Sequence, residues 1–205
     1  MENEPVPLIA VLISGRGSNL RALVEAKLPA RIALVVSNRA GAAGLEIARD
    51  AGIETRVIPH GAFASREDFE RALVEALREK GVTLVCLAGF MRRLSPVFCD
   101  AFPQAILNIH PSLLPAFPGL HAQQQAIDYG VRISGVTVHL GTPELDAGPI
   151  VLQAAVPVAP DDTAETLGAR ILIEEHRLFP EAVRRILAGG WRVEGRRIVW
   201  LGGSR

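Results

Sequence analysis

Short apolar runs that alternate with helical segments constrain the fold of the first half of this chain. Leu8–Ile13, residues 31–36 and residues 82–88 are continuous apolar runs, typical of parallel strands that are covered on both faces. A shorter run, residues 54–58, resembles another strand. Helical segments separate the runs, the clearest being residues 65–80 with Ser65 as a candidate N-cap. The alternation predicts an α/β fold with a doubly wound, mostly parallel, Rossmann-like sheet.

The pattern changes after Gly119. Residues 121–129 fit a helix that ends at Gly130, and the apolar runs 132–140 and 150–158 follow with no helix between them. Two strands joined by so short a loop are expected to be antiparallel. The long amphipathic helix Ala164–Leu187 and a closing hairpin complete the pattern. We therefore predict one domain over residues 1–205, with a half of about 1–105 and a half of about 106–205 extended by antiparallel strands.

Charge and composition exclude several classes of function. The 205 residues carry 22 basic and 22 acidic side chains. The formal net charge is therefore zero and does not indicate binding to nucleic acid or to a membrane surface. No apolar run is long enough to span a bilayer, and the acidic residues 1–5 do not form a signal peptide. The two cysteines suggest a reducing compartment without excluding one disulfide. The five histidines lack zinc-type spacing. We expect a cytoplasmic protein without a metal.

A glycine-rich loop follows the first predicted strand. Its sequence, Ser-Gly-Arg-Gly-Ser-Asn over residues 14–19, lets backbone N–H groups approach an anion at the start of the next helix. Leu20 occupies the position where the dinucleotide fingerprint requires glycine. The loop itself contains no lysine, which excludes a P-loop. A phosphate monoester therefore fits better than NAD. A purely structural tight turn is the alternative.

Asn108 and His110 form the first candidate catalytic pair. They lie two residues apart at the end of a predicted strand, so both side chains project from one face. A stiff loop with three prolines follows. Asp146, in the loop between the two later strands, could hold the imidazole in one orientation and favour its protonated form. The alternatives are a structural histidine and an Asx turn at Asp146. For Glu174 and Glu175, in the long helix, a solvated face is the default expectation.

Four segments together resemble the phosphoribosylglycinamide formyltransferases, a branch of the formyltetrahydrofolate-using formyltransferases. They are Ile-Ser-Gly-Arg-Gly-Ser-Asn-Leu at 13–20, Leu-Ala-Gly-Phe-Met-Arg at 87–92, Leu-Asn-Ile-His-Pro-Ser-Leu-Leu-Pro at 107–115 and Glu-Leu-Asp-Ala-Gly-Pro-Ile at 144–150. The resemblance implies transfer of a formyl group from 10-formyltetrahydrofolate, a cosubstrate, to the amine of 5-phosphoribosylglycinamide in purine biosynthesis. We also expect small-molecule substrates, no nucleic acid or membrane as partners, and a monomer or homodimer.

The resemblance also implies roles for individual residues. Catalysis would involve Asn108, His110 and Asp146. Contacts with the ribonucleotide would come from Gly17, Ser18, Asn19, Met91, Pro111 and Glu175. Contacts with the formyl folate would come from Arg66, Met91, Arg92, Arg93, Leu94, Asn108, Gly141, Thr142 and Asp146.

Two other functions remain open at this point. A formyltetrahydrofolate deformylase would use the same Asn, His and Asp set but has no need of the phosphate loop. A non-catalytic module that binds a phosphorylated ligand would explain the loop but not those three residues together. The central loop also carries a prediction of local structure, a cis peptide bond at Leu114-Pro115 that turns the chain sharply.

Overall fold

The computed structural model describes residues 5–202, and the described chain divides into two compact units. The boundary falls between Leu107 and Asn108, two residues from the predicted division. The predicted span of 1–205 includes residues 1–4 and 203–205, which lie outside the described residues, and the interpretation of the acidic N-terminus falls mostly on residues 1–4. That the two halves form a single domain stays a prediction.

The first unit is built on parallel strands. They are β1 (Leu8–Ile13), β2 (Arg31–Ser37), β3 (Thr55–Val57) and β4 (Leu84–Leu87), in the spatial order β3-β2-β1-β4. β1 pairs in parallel with both β2 and β4, and β2 pairs in parallel with β3. Every residue of β4, and all of β1 after Leu8, is buried. The predicted doubly wound sheet is confirmed for this unit.

Four α-helices accompany these strands: α1 (Ser18–Glu25), α2 (Gly44–Asp50), α3 (Arg66–Glu79) and α4 (Pro96–Ala101). A short 3-10 turn, His60–Ala62, lies between β3 and α3. Helix α3 begins as predicted, because Ser65 Oγ accepts a hydrogen bond from the Asp68 N–H at 3.1 Å. Helix α4 was not predicted, although Ser95 caps it and Pro96 occupies its first position.

The core of the first unit packs α3 and α4 with the strand side chains. Phe69, Leu73 and Leu77 on α3 are at most 1% exposed and belong to a buried cluster that includes Leu12 and Val85. Each such side chain contributes roughly 1.5–3 kcal/mol through its removal from water. This packing holds the carboxyl ends of β1 and β4, from which two predicted binding segments leave.

The second unit is dominated by antiparallel pairs. Its strands are β5 (Ile106–His110), which spans the boundary, β6 (Ile133–Leu140), β7 (Ile150–Pro157), β8 (Trp191–Glu194) and β9 (Arg197–Trp200). β6 pairs antiparallel with β7, and β8 with β9, while β7 and β9 meet in parallel. The predicted antiparallel extension and closing hairpin are confirmed.

Two α-helices complete the second unit. They are α5 (Ala122–Tyr129), which ends at Gly130 as predicted, and α6 (Ala164–Leu187). Thr163 caps α6 by accepting a hydrogen bond from the Thr166 N–H, and the Thr166 hydroxyl accepts one from the Thr163 N–H. No helix among residues 5–202 is both long and apolar enough to cross a membrane.

Candidate active site

Strand β5 presents Asn108 and His110 from its carboxyl end. Asn108 is half-buried, and the side chain of His110 is 7% exposed. Asn108 contacts His139 on β6, and His110 contacts Asp146 in the loop after β6, so both side chains meet groups of the same unit, in line with the predicted common orientation. A buried imidazole keeps its orientation only where its nitrogens have partners.

The imidazole of His110 lies between two acceptors. Its Nε2 is 2.8 Å from the carbonyl oxygen of Phe117, and its Nδ1 is 3.4 Å from Oδ2 of Asp146. Acceptors at both nitrogens suit a doubly protonated ring, because both nitrogens of an imidazolium donate. The Nδ1 contact exceeds the hydrogen-bond range of about 2.7–3.2 Å, so it is not a tight hydrogen bond, and it is an ion pair only when the ring is protonated.

Asp146 is held in place by a backbone N–H that is distant in sequence. Its Oδ2 accepts a hydrogen bond from the Gly119 N–H at 2.7 Å, and its side chain is 7% exposed. The backbone of Asp146 has a φ of 50°, an uncommon conformation for a residue with a side chain. The hydrogen bond to Gly119 joins the loop after β6 to the loop after β5, whereas an Asx turn would bond locally.

The loop that carries Asp146 is closed at its base. The Leu140 N–H donates to the Pro149 carbonyl at 2.9 Å. A Cβ atom on Gly148 would lie 1.7 Å from the carbonyl oxygen of Leu140, so only glycine fits there. Gly141 and Thr142, predicted to contact the folate, lie half-buried in this loop. The Thr142 hydroxyl donates to the carbonyl of Glu144 at 3.0 Å.

His139 belongs to this cluster and was missed by the sequence reasoning. Asn108 Nδ2 donates to His139 Nε2 at 3.0 Å, and His139 Nδ1 donates to the Leu140 carbonyl at 2.9 Å. This pattern requires a neutral ring with its hydrogen on Nδ1. Burial lowers the pKa of His139, and His110 adds to that effect, whereas the Leu140 carbonyl and Asp146 oppose it. A neutral His139 therefore orients the amide of Asn108.

The loop after β5 is attached to the two neighbouring antiparallel strands. The Thr137 hydroxyl donates to the Ser112 carbonyl at 2.7 Å and accepts from the Leu114 N–H at 3.0 Å. Gln153 Nε2 donates to the Leu114 carbonyl at 2.9 Å. The Leu114-Pro115 peptide bond is cis, as predicted. These bonds fix the loop that supplies the carbonyl facing His110.

The predicted phosphate loop lies in the first unit. Gly17 has a φ of 78° and immediately precedes α1, whose first turn contains Ser18 and Asn19. A Cβ atom on Gly17 would lie 2.5 Å from Cα of Gly44 in α2, so the loop and α2 are in close contact. Gly17 provides no side-chain cap for the N-terminus of α1, where the backbone N–H groups carry a partial positive charge.

Most of the predicted folate-contacting residues of the first unit lie in the segment Gly89–Leu94, the stretch that connects β4 to α4. Met91 is exposed, Leu94 is buried, and Arg92 is half-buried with its Nε atom lacking a hydrogen-bond partner within residues 5–202. Arg93 is exposed. Arg66 lies apart from that segment, exposed in the first turn of α3, with Glu67 at 3.5 Å.

Two predicted ribonucleotide contacts remain. Pro111 is half-buried directly after β5, and Glu175 is buried on α6 at 8% exposure. The default expectation of a solvated face is therefore wrong for Glu175, which belongs to the packed side of the helix. Glu174 is partly exposed and pairs with Arg177 at 2.6 Å. No group of three or more potential metal ligands occurs in the part of the chain that the structure describes.

The cluster in the second unit contains what an acyl-type transfer needs. Asn108 offers an oriented amide N–H, His110 an imidazole with an acceptor near each nitrogen, and Asp146 a carboxylate beside that ring. Such preorganised donors stabilise an oxyanion as it forms.

Residues 8–183 of the chain match the family model described as formyl transferase. Phosphoribosylglycinamide formyltransferase of Escherichia coli (strain K12) is 43% identical, over 96% of this chain and 94% of that protein. The chain therefore belongs to the formyl transferase family, in its branch of phosphoribosylglycinamide formyltransferases.

Solved structures and longer proteins agree with this assignment. Glycinamide ribonucleotide transformylase 1 from Symbiobacterium toebii superposes with a TM-score of 0.95 at 51% identity, covering 98% of both chains. The trifunctional purine biosynthetic protein adenosine-3 of Bos taurus is 48% identical over 94% of this chain. The chain spans only 20% of the length of that trifunctional protein.

Proposed function

We propose that this protein transfers the formyl group of 10-formyltetrahydrofolate to the amine of 5-phosphoribosylglycinamide, giving the N-formyl ribonucleotide and tetrahydrofolate in purine biosynthesis. The observation that carries the proposal is the position of His110, between the Phe117 carbonyl and the Asp146 carboxylate at 2.8 and 3.4 Å. This arrangement keeps an oriented imidazole donor in a buried place beside the amide of Asn108.

The first step is attack of the substrate amine on the formyl carbon, which places negative charge on the formyl oxygen. The two nitrogens of His110 have different roles in this step. Nε2 is held by the Phe117 carbonyl, whereas Nδ1 makes no tight hydrogen bond with Asp146, so its N–H would donate to the oxyanion. Asn108 supplies the second donor. Removal of one oxyanion donor typically lowers the rate by about 10²–10³.

The second step transfers a proton and breaks a bond. The attacking amine must lose a proton, and N10 of the folate must gain one as its bond to the formyl carbon breaks. Asp146 stabilises the His110 cation and relays the proton, a role that needs a carboxylate at this place. Its hydrogen bond with Gly119 keeps that carboxylate oriented.

The ribonucleotide would be bound through its phosphate and ribose. Gly17, Ser18 and Asn19 would bind the phosphate, because the open N-terminus of α1 favours an anion. Glu175 would bind the ribose hydroxyls through its carboxylate. Met91 and Pro111 would flank the substrate, and the exposure of Met91 supports such a contact.

The formyl folate would be bound by the segment Gly89–Leu94 and by the loop that carries Asp146. The free Nε atom of Arg92 supports this assignment, since a buried donor without a partner costs free energy until a ligand accepts from it. The full set of proposed contacts is Arg66, Met91, Arg92, Arg93, Leu94, Asn108, Gly141, Thr142 and Asp146.

We further propose that the protein works in the cytoplasm on these two small molecules, as a monomer or homodimer, without nucleic acid, membrane or metal. A neutral net charge is consistent with small-molecule substrates.

One assay separates this function from its two rivals. Tetrahydrofolate release is followed with 10-formyltetrahydrofolate alone and after addition of 5-phosphoribosylglycinamide, with the formylated ribonucleotide identified by mass spectrometry. We expect release that depends on the ribonucleotide and equals the amount of product formed. Release without the ribonucleotide would indicate the deformylase, and binding without any release would indicate the non-catalytic module.

The Asn108→Ala variant provides the control for this assay. It removes one proposed oxyanion donor and should lower ribonucleotide-dependent release by about 10²–10³. The Gln124→Ala variant, which removes an exposed side chain that bonds Asp128 on α5, should release tetrahydrofolate at the parent rate. Equal rates for all three proteins would contradict the proposed site.

A further inference from the structure

A buried polar chain links the 3-10 turn after β3 to the segment after β4. The Met91 N–H donates to Ser14 Oγ at 2.8 Å, and Ser14 Oγ donates to Asn38 Oδ1 at 2.6 Å. Asn38 Nδ2 then lies 3.2 Å from His60 Nδ1. Ser14 and Asn38 are 4% and 3% exposed. Ser14 and Asn38 directly follow β1 and β2, His60 begins the 3-10 turn after β3, and Met91 lies in the segment after β4.

The Met91 N–H at one end of these hydrogen bonds and His60 at the other determine which atoms donate and which accept. The Met91 amide can only donate, so Ser14 Oγ accepts from it and directs its own hydrogen to Asn38 Oδ1. The amide of Asn38 must then point its Nδ2 to His60, whose Nδ1 has to accept. If Nδ1 could not accept, the Asn38 amide would have to reverse and point its oxygen towards His60. The Ser14 hydroxyl would then lose its acceptor, and an unmade hydrogen bond of a buried group costs free energy.

Aromatic packing links the same two regions independently. The ring of His60 makes an edge contact with Phe69 at a centroid distance of 6.3 Å, and Phe69 stacks on Phe90 at 6.5 Å. Phe90 immediately precedes Met91 in the chain. His60 is therefore connected to the binding segment by two indirect routes, one polar and one apolar.

The far end of the segment is anchored elsewhere. The Ser95 N–H donates to Glu70 Oε1 of α3 at 2.8 Å. Between the anchors at Met91 and Ser95 lie Arg92, Arg93 and Leu94, three of the proposed folate contacts. Their backbone is thus held at both ends, and the Met91 end depends on the polar chain.

We propose that His60 is a positioning residue: through Asn38 and Ser14 it fixes the backbone of Met91 and so preorganises residues 92–94 for the formyl folate. This assignment of a ligand to the segment rests on the proposed function. His60 itself touches neither substrate nor reacting atoms. Its contribution is the acceptor at Nδ1, which preserves the direction of the chain, and a preorganised segment binds its ligand with a smaller entropic cost.

Two substitutions of His60 separate the acceptor from the bulk of the ring. His60→Asn places a carboxamide oxygen near the position of Nδ1 and keeps an acceptor, whereas His60→Leu keeps comparable volume without one. Hydrogen–deuterium exchange of the peptide that covers residues 89–95 reports on the Met91 N–H without requiring activity. We expect roughly fivefold faster exchange in His60→Leu, the effect of one net hydrogen bond, and parent-like exchange in His60→Asn.

Kinetics supply the second measurement. His60→Leu should raise KM for 10-formyltetrahydrofolate by roughly three- to tenfold, as the loss of one hydrogen bond predicts, with kcat nearly unchanged and His60→Asn near the parent. A merely structural role would lower thermal stability without this split between KM and kcat. Parent-like exchange and parent-like KM in His60→Leu would overturn the proposal, as would equal effects of the Leu and Asn substitutions.

A double-variant cycle tests the route through Ser14. Ser14→Ala removes the acceptor of the Met91 N–H, so adding His60→Leu to it should change exchange at residues 89–95 little further. Fully additive effects would overturn the route. If the parent protein shows no formyl transfer, the proposed function fails while the exchange data still decide the positioning role of His60.

Discussion

Asn108 Nδ2 donates to His139 Nε2 at 3.0 Å, so the amide proposed to stabilise the oxyanion is itself oriented by a second histidine. The ring of His139 is fixed in turn by the Leu140 carbonyl at 2.9 Å. An amide with one N–H held in this way keeps its second N–H in a defined direction. Catalytic donors that need no reorganisation stabilise charge most effectively.

The first prediction concerns that orientation. His139→Leu leaves the Asn108 amide without its acceptor, and a buried unmade hydrogen bond costs about 1–3 kcal/mol. We expect kcat to fall by roughly tenfold, with KM for both substrates nearly constant, as measured by steady-state kinetics. Combining His139→Leu with Asn108→Ala should cost no more than Asn108→Ala alone, because the histidine acts through the amide. An additive double variant would contradict this dependence.

The second prediction concerns Asp146. Asp146→Asn preserves shape and can still accept the Gly119 N–H, but it removes the charge that stabilises the His110 cation. We expect turnover to fall by about 10² or more, while both substrates bind with nearly parent affinity. Stopped-flow turnover and isothermal titration calorimetry measure the two quantities separately. Near-normal turnover by this variant would remove Asp146 from the mechanism.

The third prediction is a pH dependence of stability. Because the pKa of His139 is lowered in the folded protein, chiefly by burial, the unfolded chain takes up a proton at a higher pH than the folded chain does. The free energy of unfolding should therefore decrease as the pH falls below about 6.5. His139→Leu should flatten this dependence between pH 7 and pH 5, measured by urea denaturation. An unchanged slope in the variant would show that His139 does not contribute.

The fourth prediction uses two glycines of the phosphate loop. Gly17→Ala would place a Cβ atom 2.5 Å from Gly44 Cα and strain a φ of 78°, whereas Gly15→Ala meets nothing within 4 Å. We expect Gly17→Ala to lose about 1–3 kcal/mol of stability and to raise KM for the ribonucleotide. Gly15→Ala should keep its stability within about 0.5 kcal/mol. Similar denaturation midpoints for the two variants would contradict the close contact between the loop and α2.

The fifth prediction concerns the two thiols. Cys86 and Cys99 are buried and free, and burial raises the pKa of Cys86 to about 12. Burial, with Glu70 and Asp100, raises the pKa of Cys99 to about 11. Since thiolates are the reactive form, both should react with a disulfide reagent at pH 8 only as fast as the protein unfolds. Rapid labelling of the native protein would contradict their burial.

The fold class could be predicted from the chain because its local signals agree with one another. Helix α6 has the predicted bounds, Ala164–Leu187, since its apolar period is long and Thr163 caps it. Helix α4 was missed because six residues are too few for a periodic pattern, although Ser95 and Pro96 signal its start. Short helices depend on what they pack against, which a single sequence does not state.

The candidate site could be predicted only where residues carry their own pattern. Asn108 and His110 share a strand, and Asp146 lies in a recognisable loop. His139 joins them because it lies two residues after Thr137 on β6, on the face that contacts Asn108 and the loop after β5. The sequence does not state which strands lie next to one another, so it does not bring His139 to Asn108. The burial of Glu175 depends in the same way on which side of α6 is covered.

The close contact at the base of the loop between β6 and β7 affects which sequence changes the loop can tolerate. Gly148 packs against the Leu140 carbonyl, and the Leu140 N–H bonds Pro149, so the strand register is set below the loop. Pro143, Glu144 and Leu145 at its tip are exposed. Insertions or substitutions at this tip can therefore change the proposed folate contacts while leaving the strands in place, since exposed loop tips tolerate change best.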